Sequence, residues 1–117
     1  MRTVQMGYAD TALPQSTDVD TLYDSTTQAG GLLAAIGAQS FFWSIYSSHA
    51  TTVKGYHSSD RGATKHLFYE ASVVPGADGQ PQRDAVPIAG YRDVIFQTVS
   101  GGNQTTYDVE LAIEEDF

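Results

Sequence analysis

Tyr91-Arg92-Asp93-Val94-Ile95-Phe96-Gln97-Thr98-Val99-Ser100-Gly101-Gly102-Asn103-Gln104-Thr105-Thr106-Tyr107-Asp108-Val109-Glu110-Leu111-Ala112-Ile113 decides the fold class. In its second half Tyr107, Val109, Leu111 and Ile113 alternate with Asp108, Glu110 and Ala112, and Glu114 continues the polar row. A period of two puts the first set on one face of a strand and the second on the other. So clean a division calls for one face on a core and the other toward water or a basic partner. Tyr91 to Val99 reads as a preceding strand, and Ser100-Gly101-Gly102-Asn103 has the chemistry of a hairpin turn. The two strands are therefore expected to pair with each other.

Upstream the same period recurs. Lys65 to Val74 places Leu67, Tyr69, Ala71 and Val73 on one face and His66, Phe68, Glu70 and Ser72 on the other, after a turn at Asp60-Arg61-Gly62. Thr51 to His57 is a weaker strand. Ser40 to Ser48, with Phe41, Phe42, Trp43, Ile45 and Tyr46, is apolar on both faces, as a strand buried centrally or against a partner would be. Pro75 to Pro87 holds three prolines and an Asp78-Gly79 pair and reads as a long polar loop. The expected core contains Trp43, Ile45, Val53, Leu67, Tyr69, Val94, Phe96, Val109, Leu111 and Ile113.

The first 27 residues show no useful period, and Pro14 among serines and threonines suggests extended chain. Gln28 to Ala38 is uncharged, with Leu32, Leu33 and Ile36 spaced as on a short helix face but interrupted by Gly30, Gly31 and Gly37. It reads first as a buried loop or helical turn closing the sandwich, and second as a docking segment. The organisation expected is an extended N-terminal arm and apolar Gly-rich segment over 1–39, followed by an all-β domain, a β-sandwich or jelly-roll-like fold, over 40–117. On this division, removing residues 1–27 leaves the body folded.

With 117 residues and 12.6 kDa the chain is one domain, without two halves to form a cleft. Ten serines, twelve threonines, eleven glycines and seven tyrosines suit β structure. The net charge of −8 disfavours phosphate backbones and anionic lipid. It sits at the ends: Asp10, Asp18, Asp20 and Asp24 outweigh Arg2, and Asp108, Glu110, Glu114, Glu115 and Asp116 stand unopposed, while the stretch between is balanced. No secretion signal or membrane span is expected, since the N-terminus lacks an apolar core and the Ala29 to Ala38 stretch falls short of about 20 residues.

Without cysteine there is no disulfide, thiolate metal site or cysteine nucleophile. His49, His57 and His66 lie 8 and 9 residues apart, so only the tertiary fold can bring them together. Asp18, Asp20 and Asp24 offer calcium-type oxygens but lack the loop glycine and distal glutamate of a binding loop. There is no Gly-x-Ser-x-Gly elbow and no phosphate-binding glycine loop, and Asn103-Gln104-Thr105 is a glycosylation sequon most simply read as a turn. No catalytic, cofactor or metal residues are assigned, and no cofactor is expected. What stands out is the crowd of Phe41, Phe42, Trp43, Tyr46 and Tyr56, read first as core and second as a contact or sugar-stacking surface.

In style, the chain resembles small virion accessory proteins of tailed bacteriophages, of the capsid decoration (cement) or head-to-tail type. The features that carry this are the Leu13-Pro14-Gln15-Ser16-Thr17 region, the Gly-rich Gln28 to Ala38 segment, the strand-rich body and the acidic Glu114-Glu115-Asp116-Phe117 end. The resemblance implies a non-enzymatic β-sandwich located in the virion, self-associating and bound to the major capsid protein or neighbouring virion proteins, without nucleic acid or membrane. Leu13, Leu32, Leu33, Ile36, Phe41, Phe42 and Trp43 are the candidate partner contacts. Two alternatives are a head-tail connector or tail component, and a carbohydrate-binding module presenting Trp43 on an exposed face.

Overall fold

The computed structural model describes residues 2–5, 14–26, 38–75 and 81–115. They form eight strands: β1 Arg2–Gln5, β2 Val19–Asp24, β3 Ala38–Ser47, β4 Thr51–Ser58, β5 His66–Val73, β6 Gln82–Pro87, β7 Asp93–Ser100 and β8 Tyr107–Glu115. One sheet has the order β1-β8-β3-β6 and the other β2-β7-β4-β5. Every pairing is antiparallel. The strands pair first with last and inward, β1 with β8, β2 with β7, β3 with β6 and β4 with β5, as in a long hairpin rolled into two layers. Eight strands in this order make a jelly roll, so the expected all-β sandwich is present.

The decisive stretch keeps its two strands but not their pairing. β7 lies in the second sheet and β8 in the first, so Gly101-Gly102 joins the layers and turns no hairpin. Glycine-rich turn chemistry marks where the chain reverses. It does not say whether the next strand bonds alongside or packs face to face, and two strands with one apolar face each can do either. β4 and β5 are the consecutive strands that share a sheet, and Asp60-Arg61-Gly62 is their turn, with Arg61 and Gly62 both at positive φ.

The core lies between the inner faces. β3 contributes Phe41, Trp43 and Ile45, and β8 contributes Tyr107, Val109, Leu111 and Ile113. Opposite them stand Val53 of β4 and Val94 and Phe96 of β7. Phe41 stacks on Phe96 across the layers at 4.0 Å between ring centroids. Gly55 makes room for that ring: a Cβ there would fall 2.8 Å from the Phe96 edge. A partly buried polar tie also crosses the layers, where the Tyr107 hydroxyl donates to Asp20 at 2.8 Å. With its proton committed, the phenol oxygen accepts from the Thr98 hydroxyl at 2.6 Å.

Three expectations need correction. Gly55 registers with Tyr69 and Tyr56 with Leu67, so Phe68 is an extra residue in β5. This bulge turns Phe68 and Tyr69 both toward the core and leaves Leu67, expected inside, 52% exposed. Within Pro75 to Pro87, residues 82–87 are strand β6, which can hold Pro87 because it is short and lies at a sheet edge. The supposed arm is not separate from the domain: residues 2–5 pair with β8 and 19–24 with β7. Pro14 is buried, the Gln104 backbone N–H donates to its carbonyl, and Thr17 N–H donates to Ser100 O. The boundary at residue 39 is therefore not a domain boundary.

The crossing between β7 and β8 is pinned by Gln104, itself buried. Its Oε1 accepts from His49 N–H at 2.9 Å and the Ser48 hydroxyl at 3.2 Å. Its Nε2 donates to His49 O, the Thr51 hydroxyl and the Ser100 hydroxyl at 3.0 to 3.1 Å. The side chain thus pairs with a backbone residue as a strand would.

Candidate partner-binding groove

The outer face of the first sheet is built on β3. Phe42 registers with Ala85 of β6 on one side and Ala112 of β8 on the other; Ser44 registers with Arg83 and Glu110, and Tyr46 with Asp108. Since Phe41, Trp43 and Ile45 are buried inward, the period of two turns Phe42, Ser44 and Tyr46 outward, each half-buried. Two alanines beside a phenylalanine leave the ring between low walls. The result is an open hollow of about 390 Å³ with Phe42 and Ser44 in its floor, Arg83 and Ala85 on one rim and Glu110 and Ala112 on the other. The β8 row continues as Asp108 and Glu114, so it is acidic except at Ala112, whereas Arg83 is the outward-facing charge of β6 among the described residues.

Of the residues expected to contact partners, Phe41 and Trp43 are 0% and 4% exposed. As core residues they are corrected out of the contact set, because β3 is central in its sheet and its inner face meets the other layer. Phe42 faces out. Leu13, Leu32, Leu33 and Ile36, with most of Gln28 to Ala38, lie outside the described residues. Burial also withdraws Trp43 from any sugar-stacking surface: its Nε1 donates to the Tyr69 hydroxyl at 3.1 Å, which donates to Asp84 at 2.6 Å. Burial, and then the bond to Asp84, push the Tyr69 phenol up to about 12. The relay ties edge strand β6 to β5 across the layers.

The other polar candidates separate. Asp18 accepts from Gln15 N–H, Asp20 from Tyr107, and Asp24 from the N–H and hydroxyl of Thr26, so the three carboxylates serve different local structures. His57 and His66, by contrast, meet through the β4–β5 register and stack at 5.3 Å, with Tyr91 on the His57 ring at 4.6 Å. Among the described residues no three His, Asp or Glu side chains form a group that could hold a metal ion. Asp93 is the buried carboxylate: Oδ1 accepts from the Ser25 hydroxyl at 2.9 Å, while Oδ2 has no hydrogen bond and lies 3.8 Å from Arg92 Nε. Asn103, the sequon asparagine, accepts from Ser16 N–H at 2.8 Å.

The groove went unread in the sequence, although its parts were visible there. One small residue, Ala112, interrupts the charged row on the polar side of β8, but only the register sets Ala112 and Ala85 on either side of Phe42. The described residues define a jelly-roll domain of eight strands with an open, largely acidic-rimmed face. No family model matches the chain, and no curated protein or solved structure matches it.

Proposed function

We propose that this protein is a non-enzymatic structural component of a tailed-bacteriophage virion that decorates or stabilises the capsid by binding shell proteins and copies of itself. The observation that carries the reading is the rolled strand order, because two-sheet jelly rolls recur in viral capsid domains as well as in lectins and cupins. A shared fold leaves function to the surface. Here the surface supplies an open groove on a sheet face, which suits a flat protein partner better than a small substrate that must be enclosed. The lectin branch is less favoured because the single tryptophan is in the core.

Quantitative mass spectrometry of purified particles from the same genome tests this. The chain is expected at a copy number comparable with the shell protein. A number fitting one small ring would assign it to the head-to-tail joint. Absence from the particles overturns the reading.

A further inference from the structure

We infer that the Phe42 groove docks an extended protein segment carrying lysine or arginine at alternate positions beside one apolar side chain. The inference rests on the reading of the chain as a protein-binding shell component and names the chemistry of its partner. Along the outer face of β8 the residues run Asp108, Glu110, Ala112, Glu114. Alternate residues of an extended strand stand about 6.8 Å apart, so a partner segment laid along β8 repeats at the same distance. Its side chains then meet, in turn, two carboxylates, the gap at Ala112, and a third carboxylate. Ala112 is flanked by Phe42, so the side chain over the gap rests on an aromatic ring and is best apolar. The matching pattern is basic-x-basic-x-apolar-x-basic, or its reverse.

Charge complementarity selects this occupant. Among the described side chains of β3, β6 and β8 on this face, Asp108, Glu110 and Glu114 are opposed by one cation, Arg83, which lies two strands away across Ser44. Two strand spacings are about 9.6 Å, near the screening length of physiological salt, so Arg83 does little to neutralise that rim. Arg83 is placed instead to donate to the carbonyls of a segment lying over Ser44. An anionic or wholly apolar segment would leave the carboxylates facing like charge or stripped of water. A copy of this chain, itself acidic, does not fit the rim.

The probe is the acetylated, amidated peptide Lys-Thr-Lys-Thr-Leu-Thr-Lys, titrated into the full-length isotope-labelled chain while backbone amide shifts are followed. Controls are a scramble with its lysines adjacent and its leucine terminal, and a peptide with glutamate for lysine. Saturable shifts centred on Phe42, Ser44, Glu110 and Ala112 are expected, with affinity about tenfold above the scramble's. Reversing one contact charge exchanges attraction for repulsion, so Glu110→Lys should weaken binding about tenfold. Glu70→Lys makes the same change in net charge on exposed β5 of the other sheet and should leave affinity unchanged. Equal binding of the scramble, equal loss in both variants, or no localised shifts would overturn the inference. Particle composition is read independently: a patterned peptide that binds a protein absent from virions leaves the groove inference standing and the virion reading fallen.

Discussion

Replacing Gln104 by Ala should test how the two layers are joined. The side chain is buried and bridges the crossing segment to the β3–β4 corner through His49, Ser48 and Thr51, and to the end of β7 through Ser100. Not every lost bond counts fully. The Thr51 hydroxyl keeps His49 O, and the Ser100 hydroxyl keeps Gly102 O. His49 N–H loses its acceptor, and the Thr51 and Ser100 oxygens lose a donor in buried surroundings. At roughly 1 to 3 kcal/mol for a stranded buried group, partly relieved by water at exposed His49, the loss is about 2 to 4 kcal/mol. Urea unfolding followed by tryptophan fluorescence measures it. Gln104→Glu separates bonding from volume, because a carboxylate facing the His49 carbonyl is disfavoured when charged. That raises its folded-state value above the unfolded one near about 4.3, so the variant should be closest to wild type below that pH and lose stability as pH rises. A Gln104→Ala loss under about 0.5 kcal/mol, or no pH dependence in Gln104→Glu relative to wild type, would refute the account of Gln104 as the pin between layers.

Other outcomes follow from packing and protonation. Leu111→Ala should cost about 2 to 5 kcal/mol, while Leu67→Ala, on the face the bulge turned outward, should stay within about 0.5 kcal/mol by the same unfolding assay. Gly55→Ala places a methyl 2.8 Å from Phe96 and 3.2 Å from the Tyr69 Cβ, and should cost about 1 to 3 kcal/mol in wild type but less when introduced into a Phe96→Leu background. Tyr69 is raised to about 12 in the folded chain, so its contribution is complete below pH 10 and lost as pH climbs toward 12. The urea midpoint should therefore fall more steeply over that window in wild type than in Tyr69→Phe. Deleting residues 1–27 removes β1, β2 and the core side chains Leu22 and Tyr23, so circular dichroism should show an unfolded chain, where a dispensable arm would leave β structure intact.

The sequence by itself determined that this is a β protein and which side of β8 is buried. Tyr107, Val109, Leu111 and Ile113 alternate with charged and small residues, and no other secondary structure sorts them so cleanly. It also marked most of the core, because a strand that must bury one face advertises that face locally. The tertiary structure decided the rest. Whether β7 and β8 pair or oppose each other depends on all eight strands competing for partners, a choice that Gly101-Gly102 permits but does not make. The fate of Leu67 depends on the one-residue bulge at Phe68, which reverses the strand's parity at no visible cost in composition. The weak N-terminal pattern became two strands because β7 and β8 had open edges to offer, and pairing of backbone groups needs no side-chain signal. The groove came last: Phe42, Ala85 and Ala112 stand far apart in the chain, and only the register of three strands makes them neighbours.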